Sequence, residues 1–156
     1  MCNTKIYVAS SWRNNEQPKV VEALRAEGYE VYDFKNPEPD NHGFHWSEID
    51  KDWQQWDTTK FRESLKHPIA KYGFDRDMNA LRDCSMLVLV LPCGRSAHLE
   101  AGYAIGTNKP TIIYIPNHEE PELMYKMATA ICATLDEVLQ EVTFIANKRT
   151  EAEEES

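Results

Sequence analysis

A run of six consecutive apolar residues, 86–91, constrains the fold of this chain more than any other stretch. A strand with one face in water alternates apolar and polar residues, whereas a strand that is apolar throughout is buried on both faces. Such strands are typical of parallel sheets covered by helices on both sides. Pro92, Cys93 and Gly94 end the run, and the residues from Ser96 onward predict a helix with Ser96 as its N-cap. The chain therefore predicts an α/β fold with this strand at the centre of a parallel sheet.

The rest of the chain alternates between predicted strands and helices. Strands are predicted at 5–9, 29–34, 111–115 and 133–136, and helices at 18–27, 58–66, 75–81, 122–127 and 136–147. A chain of 156 residues is expected to form one domain. This order predicts a single doubly wound α/β domain over residues 1–147, followed by a disordered acidic tail at 148–156. The sequence contains no GxGxxG and no GxxxxGK[ST] motif, so a Rossmann dehydrogenase and a P-loop enzyme are both disfavoured.

An irregular segment, residues 36–57, interrupts this alternation and is rich in aromatic side chains. A disordered linker would be poor in aromatic residues, so we expect the segment to fold over the mouth of the sheet as a lid. Trp46, with His45 beside it, is the candidate for stacking on a flat ligand ring. Trp53 and Trp56 are expected to anchor the segment in a small hydrophobic cluster.

Polar side chains collect where two of the predicted strands end, and in open parallel sheets ligands bind beyond these carboxyl ends. Glu100 falls in the first turns of the helix that follows strand 86–91. An acid is also favoured there by the helix dipole alone, so Glu100 is either a helix-stabilising acid or part of a ligand site. The number of polar neighbours favours the ligand site. These neighbours are Arg95, Ser96 and His98 in the same turn, and Ser10, Ser11, Trp12 and Arg13 in the loop after strand 5–9.

Charge and cysteine usage argue against several classes of function. The formal net charge of −9 disfavours binding to the backbone of a nucleic-acid polymer, although not to a single nucleotide. No apolar run reaches the roughly 18 residues of a membrane span, and no secretory signal precedes the first strand, so we expect a cytoplasmic protein without a membrane partner. Cys2, Cys84, Cys93 and Cys132 form no CxxC pair, which disfavours a zinc site. Cys93, at a strand end, is a candidate nucleophile, but packing is its expected role.

Three short segments together resemble the nucleoside 2-deoxyribosyltransferase family and its relatives, the nucleoside 5'-monophosphate N-glycosidases. The segments are KIYVAS at 5–10, DMNAL at 77–81 and EAGYAIGTNKP at 100–110. The resemblance covers roughly residues 5–127 apart from the lid. It implies a flavodoxin-like fold, no metal or other cofactor, and cleavage of the N-glycosidic bond of a nucleoside or nucleotide.

The resemblance also implies roles for individual residues. Glu100 matches the glutamate that attacks the anomeric carbon and forms a glycosyl-enzyme intermediate, as in retaining glycosidases. Asp77 matches the aspartate that helps to handle the proton on the departing base, and Tyr7 the tyrosine that positions the nucleophile. Glu122 and Met124 match a segment that often reaches into the site of a neighbouring subunit. A homodimer or larger homo-oligomer is therefore implied.

Two positions depart from the family pattern and leave the substrate open. The transferases carry a substrate-holding aspartate six residues before the nucleophile, where this chain has Gly94, and a small polar residue where it has Glu122. A carboxylate at position 122 would repel a phosphate, whereas the arginines and serines near Glu100 suit one. Two other functions also stay open, namely a TIR-like enzyme that hydrolyses or cyclises a dinucleotide such as NAD, and a non-catalytic sensor of a nucleotide signal.

Overall fold

The computed structural model describes residues 4–156, so Cys2 and its two neighbours lie outside the described residues. The strands of the described part are β1 (Lys5–Ala9), β2 (Glu30–Asp33), β3 (Met86–Val90), β4 (Thr111–Tyr114) and β5 (Ala130–Cys132). Its α-helices are α1 (Gln17–Ala26), α2 (Thr58–Ser64), α3 (Pro68–Asp83), α4 (Arg95–Gly106) and α5 (Leu135–Glu155). Short 3₁₀ helices lie at Trp46–Glu48, Trp53–Gln55 and Leu123–Met127. Over residues 4–156, no helix combines the length and apolar character needed to cross a membrane.

The five strands form one parallel sheet in the order β2-β1-β3-β4-β5. β3 lies at its centre, where Val88 pairs with Val8 of β1 and Ile112 of β4. Every residue of β3 is buried, as its uninterrupted apolar run predicts. The strand order is that of flavodoxin-like folds, so the predicted flavodoxin-like, doubly wound α/β class is confirmed.

The two faces of the sheet are covered by different helices. On one face, alternate strand residues such as Ile6 and Val8 form the hydrophobic core together with α1 and α5. On the other face α4 packs against β3, β1 and β4, with the small side chains of Ala97 and Ala101 buried beneath it. Tyr7 lies between Ile6 and Val8, so its side chain points to the face that carries α4.

The chain forms two compact units. One contains the sheet and consists of the chain up to Asp33 together with Asp83–Ser156; the other is Phe34–Arg82. The second unit contains the expected lid, residues 36–57, and also α2 and nearly all of α3. The segment inserted into the sheet unit is therefore longer than its aromatic part alone.

An aromatic cluster centred on Trp46 stabilises the inserted unit. The Trp46 ring meets those of Phe44, Trp56 and Phe61 edge-on, at centroid distances of 4.7, 5.6 and 5.9 Å. The indole N–H of Trp56 also donates to Asp50 at 2.8 Å. Trp56 therefore anchors the segment as expected, whereas 37% of the Trp53 surface is exposed.

The starting points of two helices differ from the sequence prediction. The N-cap of α4 is Gly94 rather than Ser96, because the backbone of Gly94 is extended and the helix begins with Arg95. α3 begins at Pro68, seven residues before the predicted start at Asp75. Proline suits a first helical turn, since its missing N–H would have no partner there.

The C-terminal part of the chain also differs from the prediction. β5 precedes the predicted strand 133–136, because Thr134 serves as N-cap of α5 and accepts a hydrogen bond from the Glu137 N–H at 3.1 Å. α5 continues to Glu155, through the segment 148–156 that was expected to be disordered. An i,i+4 ion pair between Arg149 and Glu153, at 4.0 Å, favours these last turns.

Candidate active site

Two buried polar side chains join the loops at the carboxyl edge of the sheet. The Ser10 hydroxyl donates to the Val90 carbonyl at 2.7 Å, and the Asn14 amide donates to the Pro92 carbonyl at 3.0 Å. The Asn14 side-chain oxygen accepts from the Gln17 N–H at 2.9 Å, at the start of α1. Ser10, which was expected to bind a ligand, thus holds the end of β3 in place. In the sequence, Asn14 is one polar residue of a polar loop, and no pattern distinguishes it from its neighbours.

Two of the candidate catalytic residues, Tyr7 and Glu100, contact each other. The Tyr7 hydroxyl donates to Oε2 of Glu100, joining β1 to α4 across 93 residues of sequence. Tyr7 is fully buried, whereas Glu100 is half-buried. A hydrogen bond to a carboxylate favours its charged form and restricts its orientation. The structure therefore brings together two of the three residues expected to be catalytic.

Tyr32 also belongs to this group, although it is not one of the predicted site residues. It pairs with Tyr7 in the register of β1 and β2, and the two rings are stacked with centroids 5.0 Å apart. Its position in an alternating strand was visible in the sequence. Its partner was not, because the pairing depends on the register between strands.

His98 joins α4 to the 3₁₀ helix Leu123–Met127. Its Nδ1 lies 2.8 Å from the Gly94 carbonyl and its Nε2 lies 2.8 Å from the Tyr125 hydroxyl. A carbonyl can only accept, so Nδ1 carries the proton and, in the neutral ring, Nε2 accepts from Tyr125. The two rings are also stacked, with centroids 5.8 Å apart. Tyr125 was not among the predicted site residues.

A cavity of about 600 Å³ lies beside His98. Its lining includes Glu122 and Met124, two other predicted binding residues, and a face of α4 formed by His98, Ala101, Gly102 and Ile105. Glu100 follows His98 by two residues, which places it about 200° further around the helix. Within one chain, the predicted binding residues therefore fall on two different flanks of α4.

The environment of Cys93 does not suit a nucleophile. Its Sγ lies 3.7 Å from Nδ1 of His98. Burial, followed by the nearby carboxylates of Glu119 and Glu100, raises the pKa of the Cys93 thiol to about 12. The thiol is therefore neutral at physiological pH, whereas a nucleophilic cysteine reacts as the thiolate. The packing role expected for Cys93 is the one that the structure favours.

The other predicted site residues lie in two parts of the chain. Near the carboxyl edge, Ser11 is half-buried, and Trp12, Arg13, Gly94, Arg95 and Ser96 are exposed. Asp77, on α3, together with His45 and Trp46, belongs to the inserted unit. Across residues 4–156, no group of three or more His, Cys, Asp or Glu side chains is arranged to hold a metal ion.

Comparison with solved structures shows a shared fold. A 2-deoxyribosyltransferase from Bacillus psychrosaccharolyticus superimposes with a TM-score of 0.60 and 20% sequence identity, covering 86% of this chain and 90% of that one. A CMP N-glycosidase from Clostridium botulinum matches with a TM-score of 0.46 and 16% identity, covering 90% of this chain and 99% of that one. No protein-family model matches the sequence. No curated protein matches it either. The first structure bears the name of the family that the sequence resembles, and the likeness shows that this chain has its fold.

Proposed function

We propose that this protein cleaves the N-glycosidic bond of a nucleoside or a nucleoside 5'-monophosphate, either by hydrolysis or by transfer of the sugar to another base. The observation that carries the proposal is the hydrogen bond from Tyr7 to the Glu100 carboxylate. Glu100 lies on α4, the helix that follows the carboxyl end of β3, and folds of this kind bind their ligands at that edge of the sheet. The three sequence segments and the fold shared with a 2-deoxyribosyltransferase support the same reaction.

In the first step, Glu100 acts as the nucleophile. One carboxylate oxygen bonds to the anomeric carbon while the bond from that carbon to the base nitrogen breaks, and its electron pair leaves with the base. The family resemblance assigns to Asp77 the proton that the departing base takes up. The fixed negative charge of Glu100 stabilises the oxocarbenium-like transition state. Tyr7 supports this step by holding the carboxylate in a fixed orientation through its hydrogen bond.

In the second step, water or a second base attacks the same carbon and releases Glu100. The exposed guanidinium groups of Arg13 and Arg95, with the hydroxyls of Ser11 and Ser96, suit a 5'-phosphate on the substrate. Glu122 lines the cavity, which lies on the other flank of α4. Within one chain it therefore does not stand against a phosphate held beside Glu100.

The test is a panel of nucleosides, deoxynucleosides, their 5'-monophosphates and NAD, with released base detected by chromatography. Glu100→Gln keeps the side-chain shape but removes the charge, so base release should fall by about 10³-fold or more while folding is retained. Mass spectrometry should detect a covalent sugar adduct in the parent protein and none in the variant.

The matched control is Glu141→Gln, which changes a half-buried glutamate on α5 and should leave base release unchanged. Base release by Glu100→Gln near the parent rate would remove the proposed nucleophile. Turnover confined to NAD would favour the dinucleotide enzyme, and nucleotide binding without turnover would favour a sensor.

A further inference from the structure

Tyr32, on β2, contacts the residue that orients the proposed nucleophile. The rings of Tyr32 and Tyr7 are stacked, with centroids 5.0 Å apart and planes inclined by 27°. We propose that Tyr32 is a positioning residue, which holds the Tyr7 phenol in line with Glu100. The proposal rests on the proposed function, in which Glu100 attacks the sugar.

The phenol of Tyr7 needs a fixed ring plane to make its hydrogen bond. The hydroxyl lies at the far end of a long, rigid side chain, so a modest rotation about the Cα–Cβ bond takes it out of hydrogen-bond range. On the sheet, Tyr7 pairs with Leu87 of β3 on one side and with Tyr32 of β2 on the other. Leu87 is fully buried in the central strand and limits movement of the Tyr7 ring toward β3. The stacked Tyr32 ring limits its movement toward β2.

Tyr32 itself is held by the residue that follows it. The Gln17 side chain donates from Nε2 to Oδ1 of Asp33 at 2.9 Å, and both residues are buried. This bond fixes the carboxyl end of β2, an edge strand, to the first turn of α1. The ring of Tyr32 therefore projects from a fixed backbone, as a residue that orients another side chain requires.

The proposal predicts that Tyr32 acts on Glu100 only through the hydroxyl of Tyr7. Removing the Tyr32 ring lets the Tyr7 hydroxyl leave its acceptor, and a carboxylate that loses a donor becomes easier to protonate. Tyr32→Leu should therefore resemble Tyr7→Phe. In a protein that already carries Tyr7→Phe, it should have no further effect.

The experiment is an NMR titration of the carboxyl carbons in ¹³C-labelled protein, with the Glu100 signal assigned by its loss in Glu100→Gln. Tyr7→Phe should raise the titration midpoint of Glu100, because the carboxylate loses a hydrogen-bond donor. Tyr32→Leu should raise it in the same direction, and Tyr32→Phe, which keeps the ring, should restore the parent midpoint. Tyr32→Ile, whose β-branched side chain favours strands, should repeat the result of Tyr32→Leu.

The matched control is Tyr29→Leu, which removes a half-buried tyrosine that packs against the core on the other face of the sheet. It should leave the midpoint unchanged even if it lowers stability. In activity assays, Tyr32→Leu should move the acid limb of kcat/KM to higher pH and lower kcat about tenfold, with KM changed less than about twofold.

The proposal is overturned if Glu100 in Tyr32→Leu titrates at the same midpoint as in the parent protein. It is also overturned if adding Tyr32→Leu to Tyr7→Phe shifts the Glu100 midpoint further. The titration needs no substrate, so its outcome is separate from that of the proposed function. If nothing in the panel releases base while the midpoint still shifts, the proposed function fails and the coupling between Tyr32 and Glu100 stands. If Glu100→Gln abolishes base release while Tyr32→Leu shifts nothing, only the positioning role is lost.

Discussion

The position of the Glu100 carboxylate depends on hydrogen bonds made by residues that are distant from it in the sequence. Tyr7 donates to it directly. Asn14 acts one step away, because its amide holds the Pro92 carbonyl at 3.0 Å in the loop from which α4 begins. Replacing such a buried amide leaves its partners unpaired, which costs about 1–3 kcal/mol for each group. The carboxylate is therefore held in place before any ligand arrives.

Cys93 gives a residue-scale prediction about reactivity. Because the pKa of its thiol is raised to about 12, the thiolate fraction at pH 8 is about 10⁻⁴, and it grows only as the pH rises toward that value. We expect iodoacetamide at pH 8 to leave Cys93 unmodified in the folded protein and to modify it after denaturation. Peptide mass spectrometry separates it from the other cysteines.

Cys93→Ser provides the matching activity test. It should keep the parent rate of base release between pH 6 and 9, since a neutral thiol contributes no ionisation in this range. Modification of folded Cys93 at the rate of an exposed thiol, or loss of turnover in Cys93→Ser, would contradict this assignment.

At the scale of elements, the sequence predicts the strands better than their partners. β1 has the predicted bounds, and β3 differs from its prediction by one residue, because a short apolar run between breakers is visible locally. The predicted start of α4 was wrong, because residue preference favours Ser96 as N-cap whereas Gly94 occupies that position. The Tyr7–Tyr32 stack and the His98–Tyr125 hydrogen bond lay beyond prediction, because strand register and tertiary packing create them.

The aromatic cluster of the inserted unit gives the element-scale prediction. The sequence favoured Trp46 as a ligand contact, but its three edge-on ring contacts make packing the better supported role. Trp46→Ala should lower the free energy of unfolding by roughly 2 kcal/mol, because it removes a half-buried indole and its contacts with three other aromatic rings. Urea denaturation followed by far-UV circular dichroism measures this change.

Trp53→Ala is the control for Trp46→Ala, since it removes an indole of the same unit that is 37% exposed and should lower stability much less. A raised KM in Trp46→Ala with unchanged stability would instead support the ligand contact that the sequence suggested.

At the scale of the whole molecule, the doubly wound parallel sheet followed from the alternation of strands and helices, whereas its flavodoxin-like class was implied by the family resemblance. The division into two compact units did not, because the helical residues 58–82 look like any other part of an α/β chain. The candidate site was likewise predictable only in part. Glu100 and Tyr7 stand in recognisable segments, whereas the separation of Glu122 and Met124 from Glu100 depends on how α4 is turned on the sheet.

The surface around the 3₁₀ helix Leu123–Met127 gives the whole-molecule prediction, that the protein is a homodimer or larger homo-oligomer. Leu123, Met124 and Met127 are 80%, 56% and 53% exposed. Clustered apolar surface of this kind marks an interaction site, and most soluble oligomers are homo-oligomers. The segment also matches one that, in the resembling family, often reaches into the site of a neighbouring subunit. Light scattering at about 10 µM should give a mass of at least twice 18.0 kDa.

Charge on this surface provides the decisive comparison. Leu123→Glu combined with Met127→Glu should yield a folded monomer, because paired surfaces would bury the new carboxylates without partners. Phe144→Glu, at a 55% exposed position on α5, is the matched control and should keep the parent mass. If Glu122 and Met124 serve the site of a neighbour, base release should fall together with the mass in the double variant and stay unchanged in the control. A parent protein that is monomeric at this concentration, yet fully active, would place these residues outside any shared site.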